Sequence, residues 1–166
     1  MRTLATKLFV SITIFLTVIT LTFGQLRADE RYLDKGNGSI LDSQTGLLWQ
    51  KGDSHHDLSK PVSWYDALDY ANRMNGKKYA GYSDWRLPTL KELHGIWDPA
   101  KTNSTKDQER IGLPAIFSKE GSYYLWTSDE RGLDMAWYFG LGQQEDYFNL
   151  KEANDLGQGV KLVRRK

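Results

Sequence analysis

Gly81-Tyr82-Ser83-Asp84-Trp85-Arg86-Leu87-Pro88-Thr89-Leu90-Lys91-Glu92-Leu93 is the stretch around which this chain is organised. Its second half is a helix start. Thr89 is an N-cap, and Glu92, three residues on, is placed to reach back to the cap's own amide as a capping box. Pro88 disfavours helix at Leu87, so the chain must enter extended and turn sharply. Leu90, Leu93, His94 and Trp97 recur at helical spacing and predict a short helix with one buried stripe. The first half ends in Asp84-Trp85-Arg86, a large apolar ring flanked by opposite charges. It reads as a packed, hydrogen-bonded corner rather than a ligand contact.

Upstream of this stretch lies the strongest helix signal. Ser63 caps it, Asp66 occupies the box position, and Trp64, Ala67, Leu68, Ala71 and Met74 form its apolar stripe up to Asn75-Gly76. Before it, Lys51 to Pro61 reads as a solvated polar loop holding His55 and His56, with no third ligand at metal spacing. Earlier still, Tyr32-Leu33, Ile40-Leu41 and Leu47 to Gln50 read as a hairpin or meander around two turns. Downstream, Asp98 to Ser122 is irregular, pinned by Ile111, Leu113, Ile116 and Phe117. Then come strand candidates Tyr123–Ser128, Met135–Phe139 and Tyr147–Leu150, joined by hairpin-length connections. Gly159–Arg164 closes the chain as a strand alternating apolar and basic. Strands, two helices, a long loop and an antiparallel sheet make an α+β arrangement.

Length and composition set outer bounds. The 166 residues fit one domain plus a targeting segment. Arg2 and Lys7 precede an uncharged run, Leu8 to Phe23, which is too short and too threonine-diluted for a spanning helix. A signal peptide is therefore expected over residues 1–28, with cleavage after Gly24 or Ala28, leaving a single domain over 29–166. Removing that segment takes Arg2, Lys7 and Arg27 and no acid, so 19 basic residues face 21 acidic ones. So balanced a chain argues against nucleic-acid binding. Cysteine is absent, which excludes disulfides, thiol chemistry and a lipid-modified cysteine. All six Trp and nine Tyr fall within 29–166, rich for a small domain and suited both to a core and to sugar stacking.

Taken in order, Asp42-x-x-Thr45-Gly46-Leu47-x-Trp49-Gln50-Lys51, Trp64-x-x-Ala67-Leu68, Gly81 to Leu93, Leu125-Trp126-Thr127-Ser128 and Val160 to Arg164 resemble the Lcl C-terminal domain family. This is the globular head of a bacterial collagen-like adhesin. The resemblance implies a C-type-lectin-like fold, with two helices packed on a twisted antiparallel sheet and the termini close together. Trp49, Trp64, Asp84, Trp85, Arg86, Pro88, Thr89, Glu92 and Trp126 would be its structural residues. For the founding adhesin it implies binding to sulphated glycosaminoglycans and a trimeric head. This chain departs in two ways. Many members pair a cysteine in the first helix with one in the closing strand, where Ala71 and Leu162 stand here. A collagen-like Gly-x-y run is also missing, so nothing read here enforces trimers.

The function expected is an exported, secreted or periplasmic, adhesin-like module without enzymatic activity, cofactor or metal, binding a glycan or a surface protein. Lys77, Lys78, Arg164, Arg165 and Lys166 are the candidate ligand residues, because clustered cations attract polyanions in a salt-sensitive way. A structural subunit of an envelope assembly is the alternative, and a contiguous exposed patch such as Trp137, Tyr138 and Phe139 would favour it. Formylglycine-generating enzymes carry a similar Arg-Leu-Pro-Thr-x-x-Glu run, but their oxidation needs a cysteine pair that this chain lacks. Asp129, Glu130 and Asp134 cluster between two strands without the sugar-binding signatures of calcium-dependent lectins.

Overall fold

Residues 31–166 are described by the computed structural model of the protein, so the expected signal peptide lies outside the described residues. Three strands open this part: β1 (Tyr32–Asp34), β2 (Ser39–Asp42) and β3 (Leu47–Gln50). Helices α1 (Ser54–Leu58) and α2 (Trp64–Gly76), a 3-10 turn (Tyr79–Gly81) and helix α3 (Leu90–Ile96) follow. The short strands β4 (Asn103–Ser104) and β5 (Arg110–Ile111) precede a meander of β6 (Tyr124–Arg131), β7 (Met135–Gly140) and β8 (Glu145–Leu150). Strand β9 (Val163–Arg165) ends the run.

The result is mixed α+β with three antiparallel sheets rather than one, ordered β1-β2-β3-β9, β4-β5 and β6-β7-β8. What joins them is the segment before β9. Gly159 bonds to β6 through the amide of Trp126 and the carbonyl of Tyr124, at 2.9 Å each. Val160 and Leu162 then exchange bonds with Ser54 and Gln50, and Val163 pairs with both Arg86 and Trp49.

Neighbouring residues on these strands serve opposite cores. Leu48, Trp126, Tyr138 and Leu162 enter a cluster beneath α2 with Trp64, Tyr70, Trp85 and Leu87. Their chain neighbours Trp49, Leu125, Phe139 and Val163 enter a second cluster with Leu93, Ile96 and Phe117 from the α3 side. Side chains alternate across a strand, so a layer covered on both faces buries consecutive residues. Each large apolar side chain so enclosed contributes roughly 1.5–3 kcal/mol.

Several sequence expectations change against this frame. Lys51 to Pro61 is not all solvated loop. Asp53 caps α1 and His56 completes its capping box, while Ser59 ends it in a left-handed conformation. On α2 the buried stripe includes Tyr70, and Leu68 is only half-buried. Strand β6 runs on to Arg131, through what reads as a connection in sequence. The closing segment is not an alternating apolar–basic strand either: Val160, Lys161, Leu162 and Val163 are all buried.

Candidate functional site

The corner forms as its sequence implies, with different charge partners. Trp85 is 2 % exposed, and its backbone amide and carbonyl are both held by the Asn75 side chain, at 2.7 and 2.8 Å. Its indole N–H donates to the Tyr79 carbonyl at 2.9 Å. Asp84 and Arg86 do not pair with each other. Arg86 clasps Glu92 with two parallel bonds of 2.8 and 2.6 Å, and Glu92 also accepts from the Thr89 amide at 2.8 Å. Burial would raise the Glu92 carboxyl, but Arg86 and the Thr89 amide outweigh it and hold it below its ordinary value. The capping box on α3 is complete, and Asp129 of β6 adds a 2.6 Å bond to the Leu90 amide.

The five expected ligand cations fall into different situations. Lys77 and Lys78 are exposed at the end of α2, and Arg165 and Lys166 are exposed at the end of β9. Arg164 is engaged. It donates to both oxygens of Asp84, at 2.6 and 3.2 Å, and stacks on Tyr82 at 4.0 Å. The hydrogen bond from Arg164 holds the Asp84 carboxyl below its ordinary value.

Asp53, His56 and Lys161 form a hub of displaced titratable groups that sequence reading missed, with Asp53 and Lys161 buried and His56 at its exposed edge. Lys161 is 2 % exposed and points its ammonium at the carbonyls of Gln50 and Lys51, at 3.3 and 3.2 Å, and of Gly52. Three acceptors match its three protons. Burial pushes the group down to about 8, so it is still charged at neutral pH, opposite Asp53. Burial would raise Asp53, but the His56 hydrogen bond, Lys161 and the Ser122 amide prevail and hold it below its ordinary value. His56 is raised mainly by its bond to Asp53, at 2.9 Å. The sequence signal available was Lys161 standing inside Val160-Lys161-Leu162-Val163, an otherwise apolar run.

The remaining sequence candidates are dispersed. His94 bonds Asp146 at 2.8 Å and shares no partner with His56, and Lys151 donates to Glu130 at 2.5 Å. Of Trp137, Tyr138 and Phe139, the last two are buried on opposite faces and Trp137 is half-buried. Trp137 instead joins Phe148 and Leu150, which are 44 % and 54 % exposed, on an open face of β7 and β8. Arg131 lies over the Phe148 ring at 3.5 Å.

Two grooves are notable among the described residues. One, of about 480 Å³, lies between residues 58–62 and α2, where Lys60 and Arg73 face Asp66 and Asp69. The other, of about 410 Å³, opens between residues 97–101, β5, Tyr123 and the turn after β7. Trp97 and Tyr123 wall it, Lys101 and Arg110 supply the charges of its lining, and Gln143 adds an amide. Gly112 and Gly142 lie directly beneath the two rings. A methyl at Gly112 would run into the Trp97 indole, and one at Gly142 into the Tyr123 phenol. The second groove is also tied together from every side. Leu141 accepts from the Trp97 indole at 2.7 Å and the Gly112 amide at 2.9 Å, and its own amide donates to Tyr123 at 3.1 Å.

Compared with known proteins, residues 38–164 match the family model of the Lcl C-terminal domain. No curated protein matches the chain.

Proposed function

The chain belongs to the Lcl C-terminal domain family, and from that membership we propose that it is a non-enzymatic recognition module, built on a C-type-lectin-like frame, that acts outside the cytoplasm and binds a glycan. The observation that carries this reading is a separation of roles. The displaced titratable groups of the Asp53–His56–Lys161 hub and the Arg86–Glu92 clasp are each held by hydrogen bonds within the fold as structural parts, with Asp53 and Lys161 buried. Aromatic rings and unpaired cations instead stand at the surface, in the Trp97–Tyr123 groove and at Lys77 and Lys78. Rings for stacking and dispersed polar groups for hydroxyls are what carbohydrate recognition requires, whereas catalysis needs displaced groups in a cleft. No helix among the described residues is long and apolar enough to cross a membrane.

A second reading, a subunit of an envelope assembly, is favoured by the open face where Trp137, Phe148 and Leu150 are grouped and Leu133 is 89 % exposed at the adjoining hairpin tip. An array of neutral and acidic glycans, probed with the described domain at two salt concentrations, separates the two. Saturable binding supports the glycan reading. Silence across the array, with pull-down of a cell-surface protein lost in Phe148→Ser, would replace it with the second. Charge reversal at Lys77, Lys78, Arg165 and Lys166 tests the exposed cations. Arg164 is unsuitable for that purpose because its removal also unpairs Asp84.

A further inference from the structure

We propose that the Trp97–Tyr123 groove is the ligand site and that it takes a saccharide carrying a single acidic group, rather than a densely charged polyanion. This rests on the glycan reading and adds the place and the ligand class. Trp97 and Tyr123 both line one groove, and their positions are fixed by the hydrogen bonds through Leu141 and by the glycines against their rings. A wall so held needs little ordering when a ligand arrives. Among the described residues, no hydrogen bond or ion pair engages the Lys101 ammonium, the Gln143 side-chain amide or the Tyr123 hydroxyl, so all three remain available to a ligand. Arg110 is steadied by a 3.0 Å bond from its guanidinium to the Pro99 carbonyl and keeps other donors free.

Charge in the groove lining is of one sign and small in amount. Its cations are Lys101 and Arg110, and no carboxylate among the described residues lines it. A carboxylate or sulphate seated by Lys101 and Arg110 is therefore favoured, and the lining supplies no further cation for a second anion. The sugar ring bearing the acid lies between the two aromatic walls, and its hydroxyls meet Gln143 and the Tyr123 hydroxyl. A chain with an anion on every ring would leave all but one of them without a cation from the lining.

The test uses calorimetry on residues 29–166 with four versions of one tetrasaccharide: neutral, with one carboxylate, with one sulphate, and sulphated on every ring. The Trp97 indole N–H resonance, assigned by its loss in Trp97→Phe, reports on the groove. We expect a singly acidic version to bind and shift that resonance. The neutral and fully sulphated versions should bind about tenfold more weakly or worse, the loss of one charge-assisted contact. The carboxylate and sulphate arms show which acid is preferred. Lys101→Glu, at an exposed and unbonded position, should lower affinity by at least the same factor, and Tyr123→Leu should weaken it further. Lys77→Glu with Lys78→Glu should change nothing. Binding that ignores Lys101→Glu and leaves the resonance unmoved, or that favours the fully sulphated version, overturns the assignment while the glycan reading stands. Absence of binding to all four, together with a silent array, overturns both.

Discussion

The corner around Trp85 and the closing segment around Lys161 meet at one backbone pairing, Arg86 with Val163, whose two bonds are both 3.0 Å. They hold the fold together in contrasting ways. The corner is mostly local: Thr89, Glu92 and Arg86 lie within a few residues of one another, and their bonds follow from helix-start chemistry. The closing segment is almost wholly long-range, bonding to Ser54, Gln50, Val62, Tyr124 and Trp126, and most of its partners are backbone atoms. Side-chain chemistry at short spacing leaves a trace in sequence. Backbone pairing at long separation leaves almost none.

The difference can be tested by breaking each region in turn. Lys161→Ala removes a charged donor from the Gln50, Lys51 and Gly52 carbonyls, of which Lys51 keeps the Ser118 amide, and leaves Asp53 with His56 as its remaining cationic partner. A loss of about 3–5 kcal/mol is expected, read from the midpoint of urea unfolding. Glu92→Ala unpairs a half-exposed arginine and the Thr89 amide together, and should lose about 1–3 kcal/mol. A loss at the corner equal to that at Lys161 would mean the two regions do not differ in kind. Thr89→Ala removes the cap alone and should cost about 1 kcal/mol.

The smallest expected effect is in pH dependence, and it belongs to the hub. His56 is raised above its ordinary 6.5, so its contribution is full below that value and disappears as pH rises through the raised one. Asp53 is lowered below 3.8, so its contribution is present above that value and disappears as pH falls. Lys161, lowered from 10.5 to about 8, adds stability as pH climbs between those two values. Stability should therefore decline modestly as pH rises above 6.5 and through the raised value of His56. His56→Gln should flatten that decline, and a slope unchanged by the substitution would place its cause elsewhere.

Much of the scaffold was legible, and for identifiable reasons. Ser63 with Asp66 and Thr89 with Glu92 are reciprocal caps at three-residue spacing, and both helices begin where those residues stand. The meander β6-β7-β8 followed from three apolar runs separated by glycine-containing turns. What the sequence hid came from two causes. Burial on both faces erased the alternation by which strands are recognised, so Lys161 read as an outward cation although it points inward. The groove draws on residues 97–101, 110–112, 123 and 142–143, four segments with no common motif, and its two glycines lie in ordinary-looking turns. Charge run-length pointed to Lys77, Lys78 and the final basic residues, because clustering along the chain is visible in sequence and convergence in space is not.

The placement of residues 159–165 also bears on the order in which the protein can be made. A ribosome releases a chain from its first residue onward, so these residues emerge after every other helix and strand described. Until they do, β3 lacks its second neighbour, the amide of Trp126 lacks its acceptor, and both cores lack the side chains of Val160, Leu162 and Val163. The domain should thus stay unclosed until residues 159–165 emerge, and shut in one concerted step once they do.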